Sequence, residues 1–313
     1  MNRAELLGVF ASLAVAMAAA LVGAGAQSAS ADGGPHIVES GATPDKCAGC
    51  HRIHTGENDF LLKDAGTIED FCYSCHGTGG SGSDLDVQDG QKRSNGGALR
   101  GGGFDFASIN TTDPSLDSIG VLGTAQPVTS WHTIDGTTAG TLWGNGALGT
   151  AGAGPSYTLE CTSCHDPHGN GQFRILRPIP TGSGAAAANV TDQPAPKNYG
   201  VSNHLSMGGD VSLAQISTWC ATCHTRYLAS STAATADTIY TNRHRSDGNS
   251  NRACITCHAS HGTNAQMPGG ATGTTYSSTV EWPGGGSGTT DDNNSRLLKM
   301  DNRGICIKCH WGY

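Results

Sequence analysis

Cys47-Ala-Gly-Cys50-His51 opens a series that decides how this chain folds. The pattern returns as Cys72-Tyr-Ser-Cys75-His76, Cys161-Thr-Ser-Cys164-His165, Cys220-Ala-Thr-Cys223-His224, Cys254-Ile-Thr-Cys257-His258 and Cys306-Ile-Lys-Cys309-His310. All 12 cysteines of the 313 residues are used. Zinc ribbons, redox pairs and disulfides also use Cys-x-x-Cys, but none requires a histidine directly after every second cysteine. Covalent haem attachment does. Two thiols on one turn each add to a vinyl group of the same porphyrin, and the adjacent histidine gives its ring nitrogen to the iron as proximal ligand. The spacing therefore predicts six haem c groups, with His51, His76, His165, His224, His258 and His310 as proximal iron ligands.

Each iron has a sixth position to fill, and seven histidines lie outside the motifs: His36, His54, His132, His168, His204, His244 and His261. An isolated histidine is more often an ordinary core or surface residue than a ligand. Six vacancies against seven candidates reverse that balance. Methionine could serve at three irons at most, through Met207, Met267 and Met300, so bis-histidine iron is expected. His54, His168 and His261 each follow a proximal histidine by three residues, in Cys-His-Arg-Ile-His, Cys-His-Asp-Pro-His and Cys-His-Ala-Ser-His. Side chains so close lie on one face of a turn, whereas the two ligands of one iron approach from opposite sides. The second histidine of each segment must therefore serve a different haem. Pro167 argues against a regular helix there without altering that argument.

Near the start, Arg3 precedes an apolar run from Leu6 to Val22, and Ala29-Ser30-Ala31 supplies a small-residue cleavage site. Residues 1–31 read as a secretory signal peptide, with an uncleaved anchor as the alternative. The mature chain, residues 32–313, would begin near Asp32 and form one hexahaem cytochrome domain. In an oxidising compartment an even cysteine count usually means disulfides, and the histidine after each pair is what argues otherwise here. A net charge of -8 with no basic cluster makes nucleic acid a poor partner. With only 6% aromatic residues and 46 glycines, the chain has little material for an ordinary core, which haem macrocycles would instead fill.

Between the motifs run Gly-, Ser-, Thr- and Ala-rich segments, at about 77–156, 169–216 and 262–304. Neither a sustained 3.6-residue period nor strand alternation marks them, although Leu213-Ala-Gln-Ile-Ser-Thr-Trp219 reads as a short helix leading into the fourth motif. The expected fold is a multihaem cytochrome c, mostly loops with short helices wrapped around a chain of six haems. Asn110, Asn189 and Asn293 begin short glycosylation-like matches, and Ser83–Gly90 lacks the EF-hand order, so neither assigns a site.

The order of these pieces resembles the hexahaem outer-surface c-type cytochromes of metal-reducing bacteria, which polymerise into extracellular filaments called nanowires. The resemblance runs over residues 36–313 through Cys-x-x-Cys-His-x-x-His at 47–54, a bare motif at 72–76, Cys-x-x-Cys-His-Asp-Pro-His-Gly at 161–169, Trp-Cys-x-x-Cys-His at 219–224, Cys-x-x-Cys-His-x-x-His at 254–261 and a final motif. The inserts are shorter here. What the resemblance implies is all-bis-histidine iron, with His54 donated to the fifth haem of the adjacent identical subunit. It further implies His36, His132, His168, His244 and His261 as the other distal ligands, with His204 spare. A head-to-tail filament at the outer cell surface, exchanging electrons with other redox proteins or extracellular acceptors, is the function implied. The alternatives are a soluble periplasmic electron shuttle and a multihaem reductase. A reductase needs an iron with an open position, often with lysine as proximal ligand, and no Cys-x-x-Cys-Lys occurs. An electron carrier without a substrate-converting site is therefore expected.

Overall fold

The computed structural model describes residue 36 and residues 44–63, 66–108, 125–142, 144–145, 155–180, 185–191, 212–227, 254–265, 279–281, 287–289 and 296–299. The signal segment, the sixth motif with Cys306, Cys309 and His310, and His204 and His244 lie outside the described residues. Five short helices carry the first five motifs: α1 (Pro44–Ala48), α2 (Ile68–His76), α3 (Cys161–Cys164), α4 (Ser212–Cys220) and α5 (Cys254–Cys257). None of the described helices is long and apolar enough to cross a membrane.

Local chemistry sets the helix ends. Thr67 Oγ1 accepts from the Asp70 amide at 3.0 Å while Asp70 Oδ2 accepts from the Thr67 amide at 3.2 Å, a reciprocal cap that starts α2 ahead of its cysteines. The α4 helix covers the stretch Leu213–Trp219 read from the sequence and runs one residue beyond it at each end. The Trp219 indole N–H donates to the Arg177 carbonyl at 2.7 Å and so ties α4 to the loop behind the third motif.

The remaining order comes from very short strands. Leu85–Asp86, Gln91–Lys92 and Gly97–Ala98 form an antiparallel meander directly after the second motif. Ser130–Trp131 pairs with Gly262–Thr263, Ser130 against Thr263 and Trp131 against Gly262, and joins the first long insert to the fifth motif. Gly102, at φ +70°, sits so close to Gly262 that any Cβ there would run into the Gly262 carbonyl. Only glycine permits both the dihedral and the approach.

Apolar packing among the described residues is thin. Ala98, Ala107 and Ala259 cluster with Val128, and the largest fully buried side chains include Arg226 and Lys299. A core of alanines does not hold a domain of this size together. Little regular secondary structure and so small a core suit a chain wrapped around large prosthetic groups.

Candidate haem-ligating site

Every described motif closes one helical turn, which brings both thiols to one side. The histidine amide donates to the first cysteine's carbonyl in His51→Cys47 (2.8 Å), His165→Cys161 (3.0 Å), His224→Cys220 (3.0 Å) and His258→Cys254 (2.9 Å). The imidazole is then fixed by a carbonyl further along. Nδ1 of His51 meets the Phe60 carbonyl at 2.8 Å, His76 the Leu85 carbonyl at 3.3 Å, His165 the Arg174 carbonyl at 2.9 Å and His258 the Arg296 carbonyl at 3.0 Å. A carbonyl only accepts, so Nδ1 carries the proton and Nε2 keeps its lone pair for a metal.

Three of these anchors belong to one recurring strap: Phe60-Leu61-Leu62-Lys63, Arg174-Ile175-Leu176-Arg177 and Arg296-Leu297-Leu298-Lys299. In each, the leucine forms an antiparallel bridge with the proximal histidine: His51 with Leu62, His165 with Leu176, His258 with Leu298. The amide of the closing cation donates to the second cysteine's carbonyl, Lys63→Cys50 at 2.9 Å, Arg177→Cys164 at 2.8 Å and Lys299→Cys257 at 3.0 Å. Leu61, Ile175 and Leu297 all sit at positive φ (55°, 52° and 63°). A side chain in that region costs roughly 1–2 kcal/mol, so threefold recurrence marks a constrained device. The cations also cap the cysteine turn. Arg177 Nε donates to the Thr162 carbonyl at 2.7 Å and to that of His165 at 3.2 Å, and Lys299 Nζ donates to the Ile255 carbonyl.

Among the described residues the straps follow the first, third and fifth motifs, the same three that carry the extra histidine. The motifs thus group in pairs along the sequence, beginning at Cys47, Cys161 and Cys254. The sequence reading missed this repeat. Its signal was available in the three strap tetrapeptides, but the strap starts nine residues after the proximal histidine in two pairs and 38 in the third.

Histidines from distant parts of the chain meet ring to ring. His36 faces His76 at 5.9 Å between ring centres, His51 faces His168 at 6.2 Å, His132 faces His224 at 6.4 Å and His165 faces His261 at 6.4 Å. An ion held about 2 Å from one nitrogen of each ring would separate the ring centres by about 6 Å. Each pair joins a histidine of a Cys-x-x-Cys-His motif to one outside the motifs. Two further anchors orient the outside partners: Nδ1 of His36 donates to the Pro167 carbonyl at 2.9 Å and that of His132 to the Ser260 carbonyl at 2.8 Å. Burial lowers the proton affinity of His76, His132, His165 and His258, and pushes His261 down to about 3 with help from His165 and His132. Neutral imidazole is the form that binds iron. His54 is exposed and His258 has no such ring pairing among the described residues.

Cysteines of successive motifs are neighbours too. The Cys72 and Cys161 side chains lie close enough to interact, as do those of Cys220 and Cys254. Burial and then Cys223 push the Cys164 thiol up to about 11. Consecutive motifs therefore lie side by side in chain order.

Residues 40–80 match the doubled CXXCH motif family. The match marks the chain as a multihaem c-type cytochrome. No curated protein and no solved structure is similar enough to match. The motifs bind haem c covalently through their cysteines, and electron transfer is the function that follows. The donor set fits that group: paired thiols on one turn, an anchored imidazole beside them and a second imidazole opposite.

Proposed function

We propose that the mature chain binds six haem c groups, all with two histidine ligands, and polymerises head to tail into an extracellular, electron-conducting filament. The observation that carries this reading is the direction in which the extra histidines reach. His168, in the second pair, faces the first proximal histidine of the first pair, and His261, in the third pair, faces the first proximal histidine of the second. Each reaches back by one pair. His54 occupies the same place in the first pair, and no Cys-x-x-Cys-His stands ahead of Cys47 in the sequence for it to reach. The rule assigns it to His258 of another copy, the assignment that the family resemblance also implies.

When bound, haem supplies one-electron exchange at its iron. The protein's own residues hold the ligand rings, fix their tautomer through Nδ1 and set successive motifs against each other. The histidines of the chain would suffice to close every iron, leaving no open position for a substrate, which favours an electron carrier over a reductase. The signal-like first 31 residues support export, and at the outer surface the partners would be other redox proteins or external acceptors.

The test is His54→Ala in the secreted, haem-loaded protein. Six covalent haems by intact mass, one high-spin iron per chain at concentrations where wild type is fully low-spin, and loss of filaments in electron micrographs are expected. Normal filaments with six low-spin irons would overturn the bridge. Wild type that stays monomeric would favour the periplasmic shuttle.

A further inference from the structure

We infer that an exposed face of the first pair, built from Cys47, Ile53, Phe60 and Leu61, is the docking surface for the third pair of a second copy. This rests on the polymer proposed above and names the contact that holds it.

The argument compares equivalent positions in the three pairs. Position 47 corresponds to Cys161 and Cys254, which are half-buried with Cys72 and Cys220 of the pair before as close neighbours. Position 53 corresponds to Pro167 and Ser260, whose carbonyls receive the Nδ1–H of His36 and His132, the histidines that face His76 and His224 of the pair before. Positions 60 and 61 correspond to Arg174 and Ile175 and to Arg296 and Leu297, all half-buried. At the first pair the same places are open. Cys47 is exposed, and Ile53, Phe60 and Leu61 are 80%, 70% and 43% exposed.

The internal junctions show what belongs on this surface: the preceding pair. No Cys-x-x-Cys-His stands ahead of Cys47 in the sequence, and the occupant assigned to this face is the third pair of another molecule. The residue types agree with that assignment. Internal junctions are held together by the polypeptide, at high effective concentration, and need little affinity of their own. They carry Pro and Ser, and twice Arg, where the open face carries Ile and Phe. A junction between separate molecules has to supply its own association energy, and two exposed apolar side chains around His54 do so. The contacting surfaces are different on the two molecules, so the association is heterologous and propagates.

Ile53→Ser and Phe60→Arg import the residue types found at the same places in the third pair, and Phe60 serves the strap through its backbone carbonyl, which the substitution keeps. In full-length, haem-loaded protein the expected result is unchanged haem content and dilute-monomer spectra, with the critical concentration for polymerisation raised roughly tenfold or more by each substitution. A double variant that polymerises at the wild-type concentration, while His54→Ala still blocks assembly, overturns the docking surface and leaves the histidine bridge standing. Loss of binding to phosphatidylethanolamine vesicles with unchanged polymerisation would reassign the patch to lipid and overturn it likewise. Wild-type protein that never polymerises overturns both.

Discussion

Residues 44–63 and residues 161–177 are nearly the same object in different company. Both close a cysteine turn with a histidine amide, anchor that histidine nine residues on, bridge it to a leucine and return a cation's amide to the second cysteine. What differs is the covering. The second segment has Cys72 against its first cysteine and His36 on its Pro167 carbonyl, while the first leaves Cys47 and Ile53 in solvent. The ligand cradle is thus specified locally by the strap, and the neighbour is specified separately by what lies on the cradle's outer face. One local design can serve inside a chain or between chains.

The largest test of that separation is His168→Ala beside His54→Ala. Removing His168 takes the ring from opposite His51 within the monomer, so one iron should turn high-spin even in dilute protein, with the melting midpoint lowered by at least ~5 °C. His54→Ala should leave the dilute monomer's spectrum and midpoint unchanged. Equal behaviour of the two variants in dilute solution would break the comparison.

A smaller effect is expected at the strap itself. Arg177→Ala removes two donors from the Thr162 and His165 carbonyls and should cost about 1–3 kcal/mol in denaturant unfolding of the whole chain. Arg177→Lys should recover part of that, since one ammonium can still reach a carbonyl. If alanine and lysine are indistinguishable from wild type, the cation is not what holds the turn.

Smallest of all is the relief of backbone strain. Leu61→Gly releases a positive φ at a side chain that is largely in solvent, and should raise monomer stability by about 0.5–1 kcal/mol while weakening assembly. At Ile175 the same change removes a half-buried side chain as well, so the gain should cancel. Opposite signs of the two effects would contradict the contrast drawn between exposed and covered straps.

The motifs and the loop-rich character of the chain were legible because haem attachment demands a fixed local spacing, and the helix into the fourth motif because Leu213, Ile216 and Trp219 recur at helical intervals. The strands were not legible. Pairs such as Phe106–Ala107 with Gln126–Pro127 are two residues long and show no alternation to read. Their partners are chosen by distant contacts, including the Gly102–Gly262 approach. The ring pairings were open for a similar reason: His36 and His76, or His132 and His224, are brought together by the folded chain and share no local signature. The straps hid for a third reason, because a leucine or isoleucine at positive φ runs against its own preference and is fixed by four converging hydrogen bonds and bridges.

The third strap returns to its histidine after 38 residues where the other two return after nine. Closing the longer loop takes about two doublings of length, roughly 1 kcal/mol of chain entropy. Ring closure so inexpensive leaves the length of sequence between Ala265 and Arg296 only weakly constrained, because the anchor and bridge at His258 set the ligand geometry from the two ends.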